Sequence, residues 1–152
     1  MPEAWRIGPP ATTAEWQAYF ALRWQVLRAP WQQPRGSERD AWDSPPSRAV
    51  HCLVRDEDGT ALGVGRLQRV TEGEGAIRYM AVAEGARGRG VGTAILAWLE
   101  ARGREMGLGK IRLNARSGAV GFYRRQGYAE AGPGPTLFGR ISHIRMHKRL
   151  TP

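Results

Sequence analysis

The segment Ile77-Arg78-Tyr79-Met80-Ala81-Val82 is followed, after a short polar turn, by Arg87-Gly88-Arg89-Gly90-Val91-Gly92 and then by an amphipathic run. Residues of these types in this order suit one task, the holding of an anion by main chain. Glycines let a backbone approach a ligand closely, successive N–H groups converge on negative charge, and a helix starting there adds its positive dipole end. The chemistry indicated is the binding of a pyrophosphate-bearing cofactor. A tight corner made by glycines without any ligand is the plainer alternative, and the turn alone does not separate the two.

Two glycine motifs are excluded. A P-loop needs Lys-Ser/Thr after its last glycine to reach the terminal phosphate and the magnesium ion. Here Val91-Gly92-Thr93 follows Gly90, and the only lysines are Lys110 and Lys148. The dinucleotide fingerprint needs G-x-G-x-x-G in the first strand–helix turn, with an acidic residue about twenty positions later. The spacing Gly88-x-Gly90-x-Gly92 does not fit, and the turn sits mid-chain.

A second stretch carries chemistry of its own: Leu113-Asn114, then Ala119-Val120-Gly121-Phe122-Tyr123-Arg124-Arg125-Gln126-Gly127-Tyr128. Arg87-x-x-Gly90-x-Gly92 after a Met-Ala-Val strand end resembles the acetyl-CoA signature of the GNAT superfamily of N-acetyltransferases. The second stretch resembles the same family's Ala-x-x-apolar-Tyr-x-x-x-Gly-aromatic element. The resemblance covers roughly residues 50 to 150. A weaker similarity to the ElaA-like branch rests on Leu22-Arg23-x-x-Val26-Leu27-Arg28, Asp43, the His51 strand and Gly139-Arg140-Ile141-Ser142-His143-Ile144-Arg145-Met146.

The resemblance implies acetyl transfer from acetyl-CoA to a primary amine by direct attack. It implies a single α/β (α+β) domain, with a mixed and mostly antiparallel central sheet flanked by helices and a V-shaped split at the cofactor site. Met80, Ala81 and Val82 would pair with the pantetheine arm, the Val82 amide donating to the thioester carbonyl. Arg87, Gly88, Arg89, Gly90, Val91, Gly92 and Thr93 would hold the pyrophosphate. Tyr123 matches the family tyrosine that protonates the departing thiolate, and a phenol with pKa near ~10 is protonated at neutral pH. The competing role for Tyr123 is that of a packed aromatic beside Phe122 and Tyr128.

The general base is less defined. Ile77 to Val82 holds no carboxylate, and Glu74 lies in the preceding turn. His143 matches a histidine of the ElaA-like C-terminal element, and His51 lies on a neighbouring strand; either can relay a proton near neutrality or serve only as a structural histidine. Where many members of the family carry Asn seven residues before the tyrosine, this chain has Arg116, and Asn114 stands two residues earlier. The contact to pantetheine falls to Asn114, falls to Arg116, or is absent.

These residues need elements to position them. Trp5-Arg6-Ile7 reads as a short strand stopped by Gly8-Pro9-Pro10. Thr12-x-x-Glu15 is a capping box, after which Trp16, Phe20, Trp24 and Leu27 recur at helical spacing. Residues 29 to 48 are rich in Pro, Gln, Arg and Ser with little periodicity, and Trp31 and Trp42 argue that this loop packs over the acceptor site. Ala49 to Asp56 alternates as a strand, with Val50, Cys52 and Val54 on one face and His51 and Leu53 on the other. A turn at 56–59 leads to a strand over 61–70, and a second turn at 72–75 leads to a strand over 76–82, giving a three-stranded antiparallel meander. Gly90 to Met106 reads as a helix burying Val91, Ile95, Trp98 and Leu99, with Glu100, Arg102, Arg104 and Glu105 towards water. Ile111 to Leu113 is a strand and Gly118 to Arg125 a short helix. Tyr128 to Ala131 and Ile141 to Lys148 are closing strands around a Gly-Pro loop at 132–135.

Composition bounds the rest. A chain of 152 residues, 41% hydrophobic and 24% charged, is expected to form one domain over 1–152. No apolar run approaches the ~20 residues needed to span a bilayer. Met1-Pro2-Glu3-Ala4-Trp5 lacks the character of a signal peptide, and the single Cys52 excludes an internal disulfide, so a cytoplasmic setting is expected. No metal-ligand cluster is visible. The net charge of +9 raises a basic RNA-binding adaptor as an alternative, although the arginines are scattered and no nucleic-acid signature is present. A non-catalytic acetyl-CoA-binding module is the other alternative. The field should disfavour strongly cationic acceptors such as polyamines. The acceptor is otherwise a small-molecule or protein amine, and a homodimer stays open.

Overall fold

The computed structural model describes residues 4–151; the leader reading at Met1 to Glu3, and Pro152 in the expected domain span, lie outside them. The elements run β1 (Arg6–Gly8), α1 (Thr13–Leu27), β2 (Val50–Arg55), β3 (Ala61–Thr71), β4 (Glu74–Val82), α2 (Val91–Glu105), β5 (Lys110–Arg116), α3 (Val120–Arg125), β6 (Ala129–Leu137) and β7 (Ile141–Arg149). They form one seven-stranded sheet in the order β1-β2-β3-β4-β5-β7-β6. All its neighbours pair antiparallel except β4 and β5, which pair parallel. The mixed sheet and the three-stranded meander agree with the expectation.

Alternation along the central strands divides the core between the two faces of the sheet. Cys52, Val54, Leu67 and Ile77 join Val91, Ile95, Leu96 and Leu99 of α2 on one side. Leu53, Val64 and Ala81 join Tyr19, Phe20 and Leu22 of α1 on the other. Close approach of α2 depends on two residues of β3 without side chains. A Cβ on Gly63 would stand 2.5 Å from Val91 Cγ1, and one on Gly65 would stand 2.8 Å from Ile95 Cγ2.

Three local expectations are corrected. The α1 capping box forms as read, and Phe20 is buried with Trp16 and Leu27 packed beside it, but Trp24 is only half-buried and the buried face extends to Tyr19, Leu22 and Arg23. Glu100 does not face water; it is buried, accepting from the Tyr128 hydroxyl at 2.9 Å and from Lys148 Nζ at 2.9 Å. The Gly-Pro stretch at 132–135 is not a loop, because β6 runs through it with two register shifts against β7. Proline is tolerated there because β6 is an edge strand whose outward N–H groups have no ladder partner to lose. The chain turns instead at Phe138 and Gly139, both with positive φ.

Candidate active site

The site is made where β4 parts from β5. The two strands pair only at Glu74, Gly75 and Ala76, opposite Lys110, Ile111 and Arg112, and the rest of β4 has no partner on that side. On the other side β4 carries a bulge: Val64 faces Ala81 and Arg66 faces Arg78, so Tyr79 and Met80 together oppose Gly65. Tyr79 takes φ of 56°, unusual for a residue with a side chain. A bulge of this kind bends the strand and re-aims the residues beyond it. A V-shaped opening results, as expected.

Beyond the bulge, the register decides where the main chain points. The Ala83 amide donates to Leu62 O at 2.8 Å, so Leu62 and Ala83 are a hydrogen-bonded position of the ladder and the adjacent Gly63–Val82 pair is a non-hydrogen-bonded one. The Val82 N–H therefore points away from β3, into the gap that β5 has left. That is a donor available to a ligand, at the position the sequence singles out.

Two clefts meet there. One is lined by Met80, Ala81 and Val82 together with Arg87, Gly88, Gly90, Val91, Gly92, Thr93 and Tyr123. Gly88 and Gly90 take φ of 78° and 85°, and the space where their Cβ atoms would lie is empty of protein atoms. Gly90 caps α2 without a side chain, so the first-turn amides of Val91, Gly92 and Thr93 are left to face the cleft. A backbone cradle, a helix N-terminus and a strand edge with a free amide are what a diphosphate-tailed pantetheine thioester requires, and the residues present fit it.

The second cleft shares Met80, Ala81, Val82, Arg87 and Tyr123 with the first and continues to Asn114, Arg116 and His143. Its far wall is Arg28, Asp40 and Trp42, with Gln68 on the floor. Loop 29–48 thus packs over this cleft, held by Arg23 donating to Glu38 O at 3.0 Å and Trp24 Nε1 donating to Gln33 O at 3.0 Å.

Tyr123 stands at the junction. Its hydroxyl donates to Met80 Sδ at 3.6 Å, and its ring lies edge-on to Phe122 and Tyr128. Burial pushes its pKa up to about 12, against a smaller opposing effect of the Arg116 guanidinium. His143 is 8% exposed, with Nδ1 2.9 Å from Pro135 O and 3.1 Å from Ile141 O. Carbonyls only accept, so Nδ1 carries the hydrogen and Nε2 keeps its lone pair. Arg116 is the direct cross-strand partner of His143.

Two sequence candidates are not brought to the junction. Glu74 opens β4 instead of lying in a turn, six residues before Met80 and so about 20 Å away along the strand. It pairs with Arg112 at 3.6 Å and lines neither cleft. His51 is also outside both clefts, bonded through Nδ1 to the Tyr19 hydroxyl at 2.9 Å; burial depresses its pKa to about 4. Arg89 lies in the glycine turn but is outside both linings.

Sequence reading missed the support beneath the second cleft. Arg66 is fully buried, bidentate to Asp40 at 2.7 and 2.9 Å and bonded to Asp43 at 3.0 Å. Arg23, equally buried, reaches Asp43 at 2.9 Å. Tyr79 lies among their guanidinium groups, 4.3 Å from that of Arg23 and 5.0 Å from that of Arg66. An arginine within the apolar run 61–67 of β3 was the available signal, with two aspartates three apart in a loop to answer it.

No group of His, Cys, Asp and Glu among the described residues could hold a metal ion, and no helix among them is long and apolar enough to cross a membrane. Residues 16–128 match the acetyltransferase (GNAT) family. An uncharacterized N-acetyltransferase of Bacillus subtilis (strain 168), YjcF, is 31% identical over 129 residues, 85% of this chain and 89% of that one. The crystal structure of an aminoglycoside 6'-N-acetyltransferase complexed with coenzyme A superposes with a TM-score of 0.81 at 15% identity, covering 97% of this chain and 98% of the other. Escherichia coli ElaA superposes with a TM-score of 0.78 at 19% identity, covering 96% and 99%. With the splayed strand, the cradle and the tyrosine described, the family match completes the assignment: the chain belongs to the acetyltransferase (GNAT) family, whose members transfer an acetyl group from acetyl-CoA to an amine.

Proposed function

We propose that this chain acts as one catalytic unit in which the first cleft holds acetyl-CoA, the second holds the amine, and Tyr123 and His143 serve the reaction where they meet. The observation that carries this is the Val82 amide, freed from β3 by the register and facing the gap. Acetyl-CoA supplies an acyl group on an activated thioester. The residues that bind it are Met80, Ala81 and Val82 along the strand edge and Arg87, Gly88, Gly90, Val91, Gly92 and Thr93 around the phosphates, while Asn114 lines the second cleft instead.

The acceptor arrives mostly as ammonium and must lose a proton before attack. His143, with Nε2 free to accept, takes that proton. As the amine nitrogen forms its bond to the acyl carbon, the carbon–sulfur bond breaks and charge grows on the carbonyl oxygen. The Val82 amide donates to that oxygen; donors fixed in advance commonly contribute about 3 kcal/mol. Tyr123 donates to the departing sulfur. Its raised pKa lies above the ~8.5 of a thiol, which favours a hydrogen bond to the thiolate over complete transfer of the proton.

Release of free thiol from acetyl-CoA in the presence of amines tests this reading. Turnover that depends on Tyr123 supports it. Binding of acetyl-CoA without turnover for any amine class points to a non-catalytic module, and affinity for RNA that falls steeply with salt points to an adaptor.

A further inference from the structure

The second cleft is cationic in a way that acetyl-CoA does not use. Four arginines line it, Arg28, Arg78, Arg87 and Arg116. Arg87 is shared with the phosphate cradle, but Arg28, Arg78 and Arg116 line only the second cleft, on the other side of the strand edge. The one carboxylate in the lining, Asp40, has both oxygens engaged by Arg66. The Arg116 side chain has no hydrogen bond or ion pair among the described residues, and Arg28 meets only the carbonyls of Leu27 and Ser37 and two aromatic rings. Burial first, and then the fields of Arg28 and Arg87, lower the pKa of Arg116.

Uncompensated positive charge gathered in a part-buried cleft is costly unless a ligand brings the anion. Diphosphate does not reach it, since the cradle for that group opens into the other cleft. An acceptor made only of amines would add its own charge to the repulsion.

Resting on the acetyl-transfer reading above, we propose that the acceptor is an amine that also carries a carboxylate a few bonds away, in the manner of an amino acid, and that Arg116, with Arg28, holds that carboxylate. The spacing supports it. Arg116 and His143 are directly opposed on β5 and β7, which sets their Cβ atoms about 5 Å apart on one face of the sheet. The nitrogen to be deprotonated by His143 and the anion held by Arg116 therefore lie a few bonds apart on the same molecule. Arginine suits the second task because its planar fork matches a carboxylate. In this account the replacement of the usual family Asn by Arg116 sets acceptor choice.

The test is thiol release from acetyl-CoA by matched acceptors: alanine and glutamate, their amides, and the diamine putrescine, with rates referred to the free-base amine in each case. The expected result is a preference of about tenfold or more for the carboxylates over the amides and the diamine. Arg116→Gln should remove most of that preference through KM of the acceptor, and Arg116→Lys should restore part of it. Amides or putrescine turned over as well as the free acids, or a preference untouched by Arg116→Gln, would overturn the proposal. A second arm reads the anion site without turnover: N-acetylalanine added to protein saturated with coenzyme A should raise the melting temperature of the parent above its value with coenzyme A alone, and should add nothing for Arg116→Gln. If no amine releases thiol, the acetyl-transfer reading fails, and this binding arm still decides whether the carboxylate site exists; no shift in the parent protein counts against it.

Discussion

The Tyr123 hydroxyl donates to the Met80 sulfur across 3.6 Å, so the residue proposed to meet the leaving thiolate already faces a sulfur in the resting protein. Thioether sulfur is a weak acceptor, and the bond is exchanged at little cost when a better one arrives. The phenol is thus held at the mouth of the gap by packing against Phe122 and Tyr128 more than by this bond.

Tyr123→Phe is expected to lower kcat by about a hundredfold while leaving acetyl-CoA affinity nearly unchanged, because a ring of the same shape keeps the packing. The pKa of Tyr123 is pushed up to about 12, so the hydroxyl stays protonated across the working range and its ionisation should give no alkaline limb below pH ~10. Steady-state rates with calorimetric acetyl-CoA binding check both parts. A variant with parental kcat would remove the tyrosine from the chemistry.

The two histidines should separate cleanly. His143→Ala is expected to reduce kcat/KM by about a hundredfold and to flatten the acid limb of the pH–rate profile, since Nε2, the ring nitrogen left to accept a proton once Nδ1 is bonded to carbonyls, is lost. His51→Ala should leave the position of that limb unchanged, because His51 lines neither cleft. Matched pH–rate profiles decide; a limb that moves with His51 and not with His143 would reverse the assignment.

His51 should instead appear in stability. Burial depresses its folded pKa to about 4, below the ~6.5 of an exposed imidazole. Between those values the unfolded chain binds a proton that the folded chain refuses, so stability is complete above pH ~6.5 and falls as pH drops towards 4. His51→Gln, whose amide can still hydrogen-bond the Tyr19 hydroxyl, should lose less stability over that window. Denaturant midpoints at pH 7 and pH 4.5 measure it.

Much of this architecture is legible in the sequence because it is local. Gly88 to Gly92, the period of α2 and the alternation of β2 to β4 each announce themselves within a dozen residues. The network of Arg23, Arg66, Asp40 and Asp43 is not legible, because its bonded partners lie 20 to 26 positions apart and neither loop geometry nor pairing follows from composition. β6 escapes sequence reading for a related reason: Pro133 and Pro135 break a central strand, and only the sheet order shows that this strand is an edge. Glu74 is a candidate on sequence alone because separation along a turn says little about distance in space, whereas an extended strand carries it away from the gap.

Asp43 tests how firmly the acceptor wall is built. It answers Arg23 at 2.9 Å and Arg66 at 3.0 Å with its side chain 3% exposed. Asp43→Ala leaves two buried guanidinium groups short of a partner and should cost about 3 kcal/mol. Loop 29–48 loosens with it, so KM for the acceptor should rise more than KM for acetyl-CoA. Urea midpoints and paired KM values check this, and an equal rise in both would place the loop's role elsewhere.

The glycines offer the sharpest contrast, because two of them fail for opposite reasons. A Cβ at Gly63 meets Val91 Cγ1 at 2.5 Å and Ile95 Cδ1 at 2.7 Å, so Gly63→Ala must push the start of α2 outward, at about 1–3 kcal/mol. The amides of Val91, Gly92 and Thr93 move with it, and acetyl-CoA affinity should fall together with melting temperature. A Cβ at Gly88 would meet nothing within 4 Å beyond its chain neighbours, and the cost of Gly88→Ala is the strain of a side chain at φ of 78°, about 1 kcal/mol. The new methyl group there enters the cradle, so affinity should fall steeply for a loss of only about 2–4 °C in melting temperature. Melting curves and acetyl-CoA titrations of the two variants distinguish a cradle lost by displacement from one lost by obstruction, and a Gly88→Ala protein that binds like the parent would move the phosphates away from this turn.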